Sequence, residues 1–275
     1  MRTSHPEQIP IIVKVWAGAE KYDLRYIRRS LPSLLNSGLP AEARVIFVND
    51  LSPNPFIVPY LSELACKYPN VELWTNPERF GPNKGQEYNF AKLVERFPEA
   101  PYYVTCDDDI IYHPGWLQRL IQTYHEASEA GLRGVFTALN VPIRPSYDSV
   151  KLPTTEVLLK ERQFALNWFI PRDVYEQVGP FVDAGIAYDT EYCRRLAEQK
   201  LPVICLKPSY VQNIGYHGAY QGAYQDGDLF TARDYVGRRD LYLRSRDAWY
   251  YFKRRFMNVA RKIKHMLWPS KTQRG

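Results

Sequence analysis

The stretch "PYYVTCDDDIIYHPGWLQRL", residues 101–120, decides how this chain is read. Tyr102–Cys106 is a short apolar run rich in strand-forming residues, and the segment from Pro114 to Gly131 has the spacing of a helix. Between them stand Asp107, Asp108 and Asp109. Three adjacent carboxylates repel one another, and three side chains cannot all cap one helix. Mg²⁺ or Mn²⁺ relieves that repulsion, because both prefer carboxylate, water and phosphate oxygens and keep only one or two protein carboxylates. Period-2 alternation carried through the run would put Asp107 and Asp109 on one side and turn Asp108 away.

Working outward, the same grammar repeats. "IPIIVKVWA" (9–17) reads as a buried strand and "LRYIRRSLPSLLNSG" (24–38) as a helix ending at a glycine. "ARVIFVND" (43–50) is a second strand, followed by a Pro-rich loop and a short helix near 56–68. "NVELWTN" (70–76) is a third strand. "PERFGPNKGQ" (77–86) reads as a loop opening onto the helix "EYNFAKLVERF" (87–97). Strands alternating with helices of this length predict βαβ units, a mainly parallel sheet and right-handed connections.

The second half is less regular. It offers a strand in "GVFTALN", a Pro-rich excursion (142–153), and a strand running into a helix in "ALNWFIPRDVYEQVGPF". Then come the helix "YDTEYCRRLAEQK", the strand "LPVICLK" and a polar loop, "PSYVQNIGYHGAYQGAYQDGD". No repeat at solenoid periods is present.

Composition sets the class. The chain has 275 residues, 45% hydrophobic and 24% charged, and a mean hydropathy of -0.42, as expected of a soluble globular protein. No apolar run reaches the roughly 18 residues of a membrane span. "MRTSHPEQIP" has no apolar core of a secretory signal. Cys66, Cys106, Cys193 and Cys205 are scattered without metal-ligand spacing, which predicts buried thiols in a reducing compartment and a cytoplasmic location. The formal net charge of +6 is unevenly placed: Arg233–Gly275 carries thirteen lysines and arginines against three aspartates, so the body is mildly acidic.

In open α/β sheets, ligands sit beyond the carboxyl ends of the strands. Asp50 and Asp107–Asp109 fall at such ends, and Asp189 opens a helix. The ordered set of the strand ending at Asp50, the loop "GPNKGQEYN", "CDDD", "IPRDVYEQVGPF" and "YDTEYCRRL" resembles the family 2 glycosyltransferases of the GT-A fold, over roughly residues 9–217. That resemblance implies a nucleotide-binding α/β sheet and inverting transfer from a nucleoside diphosphate sugar, UDP- or dTDP-linked, to a glycan or lipid-linked hydroxyl. It implies a division at 227, with a nucleotide-binding half (9–109) and an acceptor-binding half (110–227). By the same resemblance, Asp50 meets the base, and Trp16, Ala17, Asn83, Lys84, Gly85, Asn89, Asp107 and Asp108 serve the donor. Asp107 and Asp109 with His217 would hold Mn²⁺ or Mg²⁺, and Asp189 would be the base. Trp168 and Tyr188 are the acceptor candidates.

Three residues depart from the family pattern. Tyr188 replaces the usual Glu before the base, Tyr88 replaces a commonly basic residue, and Ala17 stands where Asn is frequent. No Q-x-x-R-W motif is present, which argues against a processive synthase.

The tail carries a second message. Trp249, Phe252, Phe256, Val259, Ile263, Met266 and Leu267 recur on one helical face, and Lys253, Arg254, Arg255, Arg261, Lys262 and Lys264 fill much of the rest. This predicts a basic amphipathic extension (228–275) that either packs on the domain or lies on an anionic membrane surface at the cytoplasmic face. Aromatic residues opposite the charge fit lipid better than nucleic acid. Two other functions share the acidic α/β pattern: a sugar-phosphate nucleotidyltransferase, whose Gly-rich signature is poorly matched by "VWAGAEKYDLRY", and an inactive GT-A domain acting as an assembly partner.

Overall fold

A computed structural model describes residues 8–19, 24–215 and 230–238. The chain alternates strands and helices through its first half, as the periodicity predicts. In order these are β1 (Ile9–Val15), α1 (Ile27–Leu35), β2 (Ala43–Asn49), α2 (Ile57–Lys67), β3 (Val71–Thr75), α3 (Gly81–Arg96) and β4 (Tyr102–Asp107). β5 (Ile110–Tyr112), α4 (Trp116–Glu129), β6 (Val135–Thr137), β7 (Asp148–Lys151), β8 (Glu156–Lys160) and β9 (Asn167–Pro171) follow. The described chain then runs through α5 (Arg172–Val178), α6 (Tyr188–Glu198), β10 (Val203–Lys207) and β11 (Val211–Asn213).

Nine strands form one sheet in the order β3-β2-β1-β4-β9-β6-β10-β8-β7, and β11 pairs with β5 in a small second sheet. β3, β2, β1 and β4 are parallel; β9 runs antiparallel to both β4 and β6. The central strands are buried on both faces, which explains their nearly continuous apolar sequences. One face packs against Ile27, Leu31 and Leu34 of α1, Ile57 and Leu61 of α2, and Trp116, Leu117 and Leu120 of α4. The other packs against Phe90 and Leu93 of α3, Val174 and Val178 of α5, and Tyr192 and Leu196 of α6.

Four local features differ from the sequence expectation. The "GPNKGQ" segment is the first turn and a half of α3, not a loop: Gly81 opens the helix at φ +74° and Pro82 suits its first turn. The apparently featureless 148–160 region is a β7–β8 hairpin attached to β10. β5 inserts between β4 and α4, and β11 lies inside the polar loop after β10. Residues 230–238 contact the body. Asp234 accepts a hydrogen bond from Ser209 Oγ at 2.7 Å, Val236 N donates to Ser209 O at 3.0 Å, and Ala232 is buried.

Candidate active site

The strand ends at one pole of the sheet carry the acidic residues. β4 stops at Asp107, so Asp108 and Asp109 lie in a turn and the strand alternation does not set their directions. Asp107 stays beside β1, where its register partner is Lys14. Asp108 Oδ2 accepts the Trp16 backbone N–H at 3.0 Å, tying the end of β1 to the acidic turn. Asp109 turns inward, and its Oδ1 is buried without a hydrogen-bond partner among the described residues.

Gly215 makes that inward turn possible. A Cβ there would stand 1.8 Å from Asp109 Oδ2, so only a glycine lets the carboxylate lie where it does. Burial pushes the Asp107 carboxyl up to about 6 and the Asp108 carboxyl up to about 7. Burial, then the charges of Asp107 and Asp108, raise Asp109 well above the ordinary carboxylate range. An orphaned buried carboxylate oxygen on Asp109, close to Asp107, fits a divalent cation, which would favour the ionised form. Among the described residues, no three His, Cys, Asp or Glu side chains converge as a ready-made metal cage. His217, the expected histidine ligand, lies outside the described residues.

Lys14 is the buried charge at this pole that motif reading missed. Its ammonium donates to the Tyr188 hydroxyl at 3.0 Å, lies 4.1 Å from that ring's centroid and sits 3.9 Å from Asp107 Oδ1. Burial lowers its pKa, while the charges of Asp107, Asp189, Asp108 and Asp50 raise it. The signal was in the sequence: one lysine inside the otherwise apolar strand "IPIIVKV" must meet a charge partner or a ligand.

Asp189 occupies the first turn of α6, immediately after Tyr188. Its Oδ1 accepts the Thr190 backbone N–H at 2.6 Å and the Thr190 hydroxyl at 3.3 Å. Burial raises its pKa, opposed by the two Thr190 hydrogen bonds and the charges of Lys14 and Arg144. A partly desolvated carboxylate at a cleft edge is suited to take a proton. Lys14 bridges this end of α6 to Asp107, so the acidic turn and Asp189 share one charged neighbourhood.

Several residues expected to touch the donor are engaged elsewhere. Asp50 Oδ1 accepts Asn76 Nδ2 at 2.8 Å and Phe80 N at 2.9 Å, and Oδ2 accepts Gly81 N at 2.8 Å, so the carboxylate holds the N-terminal N–H groups of α3. Asn83 spends both ends of its amide on the α6 entrance, donating to Ile186 O at 2.9 Å and accepting Tyr188 N at 3.2 Å. Lys84 is exposed and paired with Glu78 at 2.7 Å. Asn89 is buried on the inner side of α3 close to Gly85. Ala17 is buried, and its N–H donates to Ser52 Oγ.

Trp16 keeps a site-like setting: the Arg79 guanidinium lies 4.5 Å over its ring, and its buried Nε1 has no partner among the described residues. Trp168 is corrected. It is 0% exposed, packed on Phe181 and Tyr192 in the core beneath α6, and presents no surface to an acceptor. Tyr188 is also almost buried, with its hydroxyl accepting from Lys14.

Comparison with known proteins gives the family and the fold. The glycosyl transferase family 2 model matches residues 20–173, more than half of the chain, and the chain belongs to that family. No curated protein matches it. Among solved structures, S. aureus TarS 1–349 in complex with UDP-GlcNAc is similar with a TM-score of 0.56 at 15% identity, over 79% of this chain and 61% of that one. GalNAc-T7 with UDP, GalNAc and Mn²⁺ gives 0.55 at 12% identity, over 75% and 43%. The mannosyltransferase PcManGT from Pyrobaculum calidifontis with GDP-Man and Mn²⁺ gives 0.52 at 14% identity, over 75% and 59%. At these identities the likeness is one of fold, the GT-A arrangement. The chain spans less than two thirds of each of these proteins.

Proposed function

We propose that this chain transfers a glycosyl group, with inversion, from a nucleoside diphosphate sugar to a hydroxyl of a glycan or lipid-linked acceptor in cell-surface polysaccharide or glycolipid synthesis. The observation that carries the reading is the bridge made by Lys14 between Asp107 and the start of α6, which gathers a diphosphate-type acidic turn and a candidate base at one pole. The acceptor oxygen attacks the anomeric carbon and the bond from that carbon to the diphosphate oxygen breaks. Its electron pair leaves with the diphosphate, and Asp189 takes the hydroxyl proton. Asp109 and Asp107 would hold Mn²⁺ or Mg²⁺, with His217 a further candidate ligand; a cation bound there supplies charge stabilisation to the departing diphosphate. Lys14 orients Tyr188 and screens Asp107 from Asp189.

Trp16 and Arg79 offer the base a flat, cationic-backed edge. Asp50 uses three hydrogen bonds, and a carboxylate has about four acceptor sites, so one base N–H can still be accepted. UDP- and dTDP-sugars are the donors to examine first. Family membership leaves the nucleotidyltransferase alternative without support. The inactive-domain alternative is decided by experiment. Release of the nucleoside diphosphate from UDP-GlcNAc, UDP-Glc, dTDP-Glc and GDP-Man is measured with Mn²⁺, in the wild type and in Asp189→Asn. The variant should lose about 10²–10⁴-fold in turnover while donor still raises its melting temperature. Unchanged turnover overturns the assignment of the base, and absence of turnover with every donor overturns the enzymatic reading.

The basic extension lies outside the described residues beyond Arg238. We assign it to an anionic membrane surface on the cytoplasmic side, where a lipid-linked acceptor would be presented. Among the described residues no helix is long and apolar enough to cross a membrane. Flotation with anionic liposomes, with and without residues 240–275, checks the assignment; equal flotation of the two proteins removes it.

A further inference from the structure

A small cleft beside Asp189 is lined by Arg144, Arg162, Phe164, Asp189 and Thr190. Arg144 follows β6 and Arg162 stands between β8 and β9, so both come from the second half of the chain, whereas Asp50 and Asp107 mark the ends of β2 and β4. The Arg144 guanidinium lies 4.8 Å over the Phe164 ring, and Phe164 in turn packs on Phe230 at 4.7 Å. That aromatic backing holds one planar face of the guanidinium and leaves its edge N–H donors for a ligand. Among the described residues neither arginine lies within ion-pair distance of a carboxylate, whereas Arg133 pairs with Asp173 and Arg172 with Glu176; Arg44, Arg79 and Arg119 are likewise without an ion pair.

Two guanidinium groups beside a proton acceptor need a reason. The positive charge of Arg144 favours the ionised carboxylate and so opposes the transfer of a proton to it. Nor are they needed for the donor's diphosphate, which in the proposed reaction a cation on Asp107 and Asp109 would hold. A negative charge on the acceptor resolves both points: it satisfies the two forks and offsets the effect of Arg144 on Asp189 when the acceptor is bound.

We propose that Arg144 and Arg162 form an acceptor subsite for an anionic group, a phosphate or a carboxylate, carried close to the hydroxyl that is glycosylated. This rests on the glycosyltransferase reading and names the acceptor class for it. Arginine presents paired N–H donors that match the two oxygens of either group, and hydrogen bonds to charged groups are the strong ones.

Three probes of similar size separate the outcomes: glycerol 3-phosphate, methyl α-D-glucuronide and the uncharged methyl α-D-glucoside. Their dissociation constants are measured by ligand-observed NMR on the full chain with UDP and Mn²⁺ present. The expected result is about tenfold or tighter binding of at least one charged probe over the glucoside. A preference confined to one charged probe identifies that group as the natural one. In Arg144→Gln/Arg162→Gln the ratio should fall to near one. Arg144→Lys/Arg162→Lys, which keeps charge without the fork, should give an intermediate ratio. Because the readout is a ratio within one protein, a general loss of binding does not imitate it. No preference in the wild type, including no binding of any probe, overturns the proposal, as does a preference that survives the double Gln substitution. Donor turnover is measured separately, so a failure here leaves the proposed reaction standing.

Discussion

Lys14 donates a hydrogen bond to the Tyr188 hydroxyl across 3.0 Å, joining the middle strand of the parallel set to the first residue of the helix that carries Asp189. The family usually has a glutamate in the place of Tyr188. In this chain a neutral ring and hydroxyl receive the lysine instead, so the ammonium's charge is left to act on Asp107 and Asp189.

Replacing Lys14 with methionine keeps length and removes charge. Asp107 and Asp189 then repel without screening, and turnover should fall by roughly 10²-fold, the scale of removing one preorganised electrostatic contact. The acidic limb of the pH–rate profile should also move to higher pH, because Asp107 loses the neighbour that favours its ionised form. A profile that keeps its position would remove Lys14 from the site.

Asp50→Ala tests whether that carboxylate holds the fold as well as the base. It strips three donors, Asn76 Nδ2 and the N–H groups of Phe80 and Gly81, of their acceptor. The cost should be about 1–2 kcal/mol, as for loss of a helix cap, a drop of roughly 2–8 °C in melting temperature. A melting temperature equal to the wild type in the ligand-free protein would show that α3 does not depend on Asp50.

Gly215→Ala places a methyl group where Asp109 Oδ2 now lies, and the carboxylate must move. Mn²⁺ stimulation of donor turnover should drop to the level of Asp109→Ala, with far-ultraviolet circular dichroism unchanged. Full Mn²⁺ stimulation in Gly215→Ala would show that the inward position of Asp109 is dispensable.

The acidic turn predicts an unusual pH response of the metal-free protein. Asp107 and Asp108 are pushed up to about 6 and about 7, and burial raises Asp109 well above the ordinary range, whereas unfolded aspartates titrate near 3.8. Between about pH 4 and 7 the native state therefore holds more protons than the unfolded one, and stability falls as pH rises through that window. Thermal melts at pH 5 and pH 7.5 should show a melting temperature several degrees lower at pH 7.5. Saturating Mn²⁺ should shrink the difference, and so should Asp109→Asn. A melting temperature that rises over this range and ignores Asp109→Asn would contradict the raised acidities.

The parallel half of the fold was legible because its strands are buried on both faces and its helices carry one apolar stripe, two patterns that sequence states directly. The β7–β8 hairpin was not, since Asp148–Lys151 is an edge strand with mostly exposed residues and no apolar run to announce it. The start of α3 was hidden by Gly81, Pro82 and Gly85, which read as loop residues until Asp50, thirty residues earlier, is seen holding the helix end. The acidic turn and Asp189 were legible as a motif in order. What Asn83 and Trp168 do was not, because both are settled by partners remote in sequence: Asn83 by Ile186 and Tyr188, Trp168 by the aromatic packing under α6. Lys14 was visible only as a charge in the wrong place.

β4 and β9 are hydrogen-bonded along Tyr102–Cys106 and Asn167–Pro171, so the strands that end at the acidic turn and those of the second half are one continuous fabric. Such a sheet resists shear, and no hinge can run between the two halves without tearing that ladder. In the proposed reaction, donor and acceptor would therefore meet over a frame that does not flex along this ladder. Selectivity for the size of the transferred sugar would then be a mechanical property of the frame, altered more readily by changing the loops along the rim than by loosening the core.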